Sequence, residues 1–318
     1  MSNALREFPP ILRKDSRRLE WSRSLKRNYD LYLMFLVPLT WYIIFRYLPI
    51  YGIQIAFRDF VASRGIGGSE WVGLYHFRRF FQSFFFWRLI GNTLGIALYS
   101  LAVGFPVPII LALMLNEVGN LRFKKVVQNV TYMPYFLSLV VVVGMIVNFT
   151  NPNYGVINTI MKAVGGDAIP FMTRPEWFKT VFVLSNVWQN AGWGAVIYIA
   201  SLASVSPELY EAATVDGASR FQKILNISLP GIAPTIVVLL ILRIGNLLNV
   251  DFQKILLMQN ALNLQSSDVI ATYVYRVGIL QGSYSFSTAV GLFQSVMNVI
   301  LLFGANFYAK RLQETSLW

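Results

Sequence analysis

The sequence predicts an all-α, polytopic membrane protein, and three observations lead there. Charged residues make up only 13% of the 318-residue chain while 55% are hydrophobic, whereas a soluble domain carries about 25% charged residues. Most of the surface must therefore meet something other than water. Six segments, roughly 31–50, 90–113, 127–149, 181–202, 230–249 and 286–308, are mostly apolar over the ~20 residues that a membrane-crossing helix needs. Trp41, Tyr47, Trp87, Tyr132, Trp188 and Tyr308 fall near their ends, where amphipathic rings sit at the membrane–water interface.

The elements follow in order. Residues 1–30 form a basic tail with Arg13, Lys14, Arg17, Arg18, Arg23, Lys26 and Arg27. The first apolar run begins only near Leu31 and is too long for the core of a cleaved signal peptide. Residues 31–309 form the membrane domain, and 310–318 a short tail. Pro38, Pro106, Pro108 and Pro134 lie within predicted spans, so kinked helices are expected where neighbours satisfy the freed carbonyls. The aromatic run from Trp71 through Phe77, Phe80, Phe81, Phe84, Phe85 and Phe86 fits either an interfacial segment or packing against the bundle. With the N-terminus placed in the cytoplasm, the inner segments hold 15 Lys or Arg against 10 in the longer outer loops. That asymmetry favours both termini inside, in the cytoplasmic (inner) membrane.

Composition also excludes functions. The chain has no cysteine, so disulfides, thiolate metal sites and cysteine nucleophiles are out. Its single histidine, His76, has no metal-ligand spacing around it and reads as a hydrogen-bonding surface residue. The six spans hold no Asp or Glu, which counts against a proton- or sodium-driven secondary carrier, the main alternative. An integral membrane enzyme would need clustered His, Cys or paired carboxylates. No G-x-x-x-x-G-K-[ST] phosphate loop occurs, so no cofactor is expected on this chain. The net charge of +12 is accounted for by loops that orient spans, and no nucleic-acid partner is expected.

The loop between the fourth and fifth segments, 205–230, is the most informative stretch. Ser206 suits an N-cap and Pro207 the first helical position. Glu208 falls in the first turn, where the helix dipole favours negative charge. Asp216-Gly217 supplies a stop, because glycine tolerates the left-handed conformation. Ser219 can cap a second helix that leads into the membrane at Pro230. A short helix, a glycine turn and a second helix make a rigid docking element.

Glu211-Ala212-Ala213, Gly217, Ile227 and Leu229-Pro230 stand at the spacing of the EAA loop, and the stretch resembles that of ABC importer permeases. The form Glu211-Ala212-Ala213-Thr214-Val215-Asp216-Gly217-Ala218 is similar to the carbohydrate-uptake branch. Tyr47-Leu48-Pro49-Ile50-Tyr51-Gly52 through Phe60, Gly91-Asn92-Thr93-Leu94, Phe105-Pro106-Val107-Pro108 and Ser316-Leu317-Trp318 resemble permeases of the LplB type, which import complex polysaccharides and oligosaccharides. The resemblance implies the six-helix, type I importer fold, with the loop as a cytoplasmic coupling helix seated in a groove of an ATPase. Glu211, Ala212, Ala213, Asp216 and Gly217 would be the coupling residues. It further implies a second homologous permease, two ATPase subunits that bind ATP and Mg, and an extracytoplasmic solute-binding protein.

Two polar stripes are candidates for the substrate pathway. Asn186, Gln189, Asn190 and Trp193 fall within about 100° of arc on the fourth span, with amides suited to hydroxyls and an indole suited to a sugar ring. On the fifth, Arg243, Asn246, Asn249 and Gln253 fall within about 120° of arc. Arg243 is costly in lipid, by about 2.5 kcal/mol or more at midplane, and should face the lumen or a partner subunit. Interhelical hydrogen bonding is the competing account of both stripes. The outer loops carry 10 basic and 6 acidic residues. With Arg243, that surplus permits an acidic glycan such as alginate or pectin fragments.

Overall fold

The computed structural model describes residues 27–313. The basic residues up to Lys26 and the Ser316-Leu317-Trp318 stretch lie outside the described residues. Contacts divide the chain into residues 1–54 and 55–318. The first unit holds most of α1 (Tyr29–Phe57), an apolar helix that carries Pro38 and passes through a π turn at Ile43–Tyr47.

The second unit opens with a two-residue antiparallel pairing, β1 (Arg58–Asp59) with β2 (Glu70–Trp71). It continues with α2 (Tyr75–Phe81), α3 (Phe86–Asn116), α4 (Leu121–Phe136), α5 (Leu139–Phe149), α6 (Val156–Ala163) and α7 (Pro175–Leu202). Then come α8 (Pro207–Val215), α9 (Arg220–Gly245), α10 (Phe252–Met258), α11 (Ile270–Leu280) and α12 (Tyr284–Gln313).

Among the described residues four helices, α1, α3, α9 and α12, are long and apolar enough to cross a membrane, and five if the bent pair α4–α5 counts as one. Two stretches differ in detail from the expected spans. The stretch 127–149 is not one straight helix: the chain turns by 102° between α4 and α5. Pro134 sits in a 3₁₀ turn at Met133–Phe136, and Ser138 caps a new helix through a 3.4 Å bond from the Val141 N–H. The stretch 181–202 is helical over a longer range, Pro175–Leu202, and Asn186, Gln189 and Asn190 interrupt its apolar run. A helix of that kind belongs inside a bundle.

Helix α7 occupies that position, packing on α3, α4 and α9. At its crossing with α4, a Cβ on Gly192 would overlap the Thr131 carbonyl oxygen, so only glycine lets the backbones meet there. Ser201 Oγ and Thr235 Oγ1, 2.9 Å apart, tie α7 to α9. One core joins Ile96, Val142, Phe178, Phe182 and Ile255, and another joins Phe80, Leu89, Ile270, Phe286 and Val290. The aromatic run thus does two jobs: Phe80 is fully buried, while Phe84 is 89% exposed. Beside the second core, fully buried Asp268 receives Arg276 at 2.7 Å and Arg88 at 3.4 Å.

His76 is buried, contrary to its reading as a surface residue. Its Nε2 lies 3.2 Å from the Arg58 carbonyl and ties α2 to β1. Burial holds its pKa below the usual 6.5.

Candidate functional site

Two places on the bundle carry the predicted functional residues. The first is the turn from α8 to α9. The Ser206 hydroxyl accepts from the Glu208 N–H at 3.3 Å, and Pro207 takes the first helical position. At the other end, the Ala218 N–H reaches the Ala213 carbonyl at 2.8 Å and the Gly217 N–H reaches Thr214 at 3.1 Å. These are the 6→1 and 5→2 bonds of a Schellman cap, and Gly217 supplies the required positive φ of 76°. A Cβ at Gly217 would meet no atom within 4 Å, so the demand for glycine there is purely conformational. Ser219 and Gln222 form a capping box at the start of α9.

Side chains then lock the two helices into one body. Lys223 Nζ donates to Thr214 Oγ1 at 2.7 Å, and the Tyr210 and Ser228 hydroxyls lie 3.0 Å apart. Ser228 is fully buried within a π turn at Ile224–Ser228, a local widening of the helix that recurs at functional sites. Glu211, Ala212, Asp216 and Gly217 are exposed and Ala213 is half-buried. Leu209, Val215 and Phe221 are exposed beside them, Val215 by 88%. A rigid element that presents apolar side chains next to acids has the makings of a contact surface.

The second place is a cavity of about 520 Å³ between α3, α7 and α9. Asn186, Asn190, Arg243, Asn246, Asn249 and Asp251 line it, alternating with apolar residues such as Val183 and Leu239. The structure thus gathers five of the seven predicted pathway residues, though not by the expected geometry. Helix α9 ends at Gly245, so Arg243, Asn246 and Asn249 do not share a helical stripe. They converge because the chain turns at 246–250 before α10. The Arg243 side chain forms no ion pair or hydrogen bond among the described residues, which leaves its guanidinium available to the cavity it lines.

Two predicted pathway residues lie elsewhere. Trp193 stacks on Tyr135, with ring centroids 4.8 Å apart and planes at 10°. Gln189 is buried behind the wall. Interhelical bonding, the competing account of the stripes, describes Asn249 well. Its Oδ1 accepts from Gln294 and Asn298 of α12 at 3.0 Å each, and its Nδ2 donates to Asn246 Oδ1 at 3.3 Å. Gln294 also donates to the Leu248 carbonyl at 2.8 Å, and Asn298 accepts from the Leu248 N–H at 3.1 Å. These amides pin the turn after α9.

Sequence reasoning missed Gln294, Asn298 and Lys254. The first two are four residues apart in the last apolar segment, so a polar-stripe reading of that segment would have found them. Lys254 is fully buried; its Nζ donates to Asn186 Oδ1 at 2.9 Å and to Gln189 Oε1 at 3.4 Å. Burial lowers its pKa to about 8, which leaves it an ammonium at neutral pH.

A second hollow of about 460 Å³, between α5, α6 and α7, has the aromatic walls Phe149, Phe171, Trp177 and Trp188. Its only hydroxyls are Thr150, Thr180 and Ser185, too few to replace the water around a glycan. No group of three or more His, Cys, Asp or Glu among the described residues is arranged to hold a metal.

A type I ABC-importer permease fold with a rigid surface turn and a polar cavity is the class these features define. Residues 104–314 match the family described as the binding-protein-dependent transport system inner membrane component. Protein LplB of Bacillus subtilis (strain 168) is 45% identical over 300 residues, covering 94% of each chain. The polygalacturonan/rhamnogalacturonan transport system permease protein YteP of the same organism is 42% identical, covering 97% of this chain and 96% of its own. A solved chain from a bacterial alginate ABC transporter, in complex with its alginate pentasaccharide-bound periplasmic protein, superposes with a TM-score of 0.85 at 41% identity. That match covers 93% of this chain and 99% of the other. The protein belongs to the binding-protein-dependent transport system inner membrane component family, as a multi-pass permease subunit of an ABC importer and not an ion-driven carrier.

Proposed function

We propose that this permease carries an acidic oligo- or polysaccharide through the cavity at Asn186 and Arg243, driven by separate ATPase subunits docked on the α8–α9 turn. The observation that carries this reading is the unpaired Arg243 guanidinium on a cavity whose other polar groups are four asparagine amides, Ser100, Tyr198 and the single carboxylate Asp251. Amides suit sugar hydroxyls, and a guanidinium suits a carboxylate. The names of two relatives point the same way, since polygalacturonan and alginate are both polymers of uronic acids.

In this reading Glu211, Ala212, Ala213, Asp216 and Gly217 form the ATPase contact. The small alanines allow close approach, Glu211 supplies polar contacts, and the Gly217 cap keeps the element stiff. ATP and Mg are bound by two partner ATPases, so this subunit needs no cofactor. A second homologous permease completes the pathway, and a solute-binding protein outside delivers the glycan. Both termini and the 205–230 loop then lie on the cytoplasmic side of the inner membrane, with 1–30 and 310–318 as tails to the 31–309 domain. Closure of the ATPase pair draws the coupling helices together and rocks the permeases between inward-open and outward-open states.

The test is ATP hydrolysis by the complex purified from native membranes through a tag on this chain, with its binding protein added. Stimulation by polyuronate oligosaccharides above neutral ones is expected. Stimulation by neutral sugars alone overturns the acidic assignment and leaves the importer.

A further inference from the structure

Lys254 is a fully buried ammonium, and both ion pairs among the described residues, each made to Asp268, leave it out. Asp251 nearby favours its charged form without coming close enough to form an ion pair. What holds it is a pair of neutral amides, Asn186 Oδ1 at 2.9 Å and Gln189 Oε1 at 3.4 Å, with the Phe182 ring centroid 5.8 Å away. An ammonium has three donors and no acceptor. The amide atoms that face it are therefore oxygens, with no ambiguity over which way each amide is turned.

That fixes the polarity of the cavity wall. Asn186 lines the cavity, and its oxygen is committed to Lys254 behind it. Its Nδ2 group is then the polar end left to face a ligand. Without the ammonium, the amide is free to turn and offer an oxygen instead.

We propose that Lys254 is a positioning residue that holds Asn186 donor-outward, so that the cavity selects ligands rich in hydrogen-bond acceptors, carboxylates above all. This rests on the cavity being the glycan path. Lys254 does not touch the glycan itself; it acts through Asn186.

The test uses the whole importer with its binding protein and compares ATP hydrolysis stimulated by an oligouronate and by a neutral oligosaccharide of equal length. Lys254→Met should lower the uronate-over-neutral ratio about tenfold, the worth of one hydrogen bond to a charged group. Lys254→Arg, which keeps the donors, should retain most of the ratio. In an Asn186→Ala background, Lys254→Met should change the ratio no further, since coupled residues are not additive.

An equal loss on both sugars, or a full further loss in the Asn186→Ala background, overturns the proposal: the first makes Lys254 a structural anchor, the second a long-range charge. Should the Met variant fail to assemble, Lys254→Gln keeps one donor group, and the same ratio decides. A wild-type complex with no preference between the sugars defeats the path assignment first, before any variant is made, and this proposal with it.

Discussion

The turn at 206–230 and the cavity wall around Asn186 are both polar breaks in an apolar chain, yet they are built in opposite ways. Every bond that shapes the turn joins residues at most 18 apart in sequence, the farthest being Tyr210 to Ser228. The wall is assembled from afar: Lys254 reaches back 68 residues to Asn186, and Gln294 reaches 45 residues to Asn249. Local motifs such as caps announce themselves in a short string of letters, whereas a network between helices is set by how the helices pack. The turn should accordingly break without disturbing the bundle, and the wall should not.

The largest effect is expected at the crossing that supports the wall. Gly192→Val places side-chain atoms into the Thr131 backbone and should cost about 3 kcal/mol or more, as overpacking against backbone does. The check is the yield and melting temperature of the purified complex. A variant as stable as wild type would mean that α4 and α7 separate more easily than the structure implies.

Next comes Asn249→Ala, which strips partners from Gln294, Asn298 and Asn246 together. Leaving buried amides unsatisfied costs about 1–3 kcal/mol. The loss should appear as faster hydrogen exchange of the Leu248 amide, with the α8 amides unchanged. Exchange that rises equally in α8 would erase the contrast between the two regions.

On the turn, Gly217→Ala should cost about 1–2 kcal/mol from the left-handed backbone alone, since no atom crowds the site. Tyr210→Phe should cost about 1 kcal/mol for the bond to Ser228. In both, exchange should rise in α8 and leave α7 as it was.

The smallest effect is a pH response at His76. Burial holds its folded pKa below 6.5, so the unfolded form binds the proton more readily. The stability this ring contributes is fully present above about pH 6.5 and is lost as pH falls through the folded value. The protection factors of Val72 and Gly73, whose amides bond the Phe57 carbonyl beside β1, taken against the intrinsic exchange rate at each pH, should fall as the pH is lowered from 7.5 to 5.

Much of the fold was legible because apolar runs of about 20 residues leave few alternatives, and the turn was legible down to its caps. Two boundaries were not. The bend after Pro134 needed Ser138 to be recognised as a new N-cap, and the end of α9 at Gly245 was masked by the apolar residues on either side. A helix carried past Gly245 placed Arg243, Asn246 and Asn249 on one stripe, when a turn pinned by Gln294 and Asn298 gathers them. Trp193 shared the arc of Asn186 but lies near Tyr135, which no periodicity within α7 reveals. Lys254 was invisible for the same reason: its partners belong to α7.

Co-purification of the ATPase subunits through a tag on this chain tests the central claim, that the α8–α9 turn is the coupling element, most directly. Glu211→Ala and Gly217→Pro should leave the permease pair folded and lower the recovered ATPase severalfold, with Gly217→Pro the more severe because proline cannot take a φ of 76°. Recovery equal to wild type in both variants would contradict the account and reduce the turn to a link between two helices.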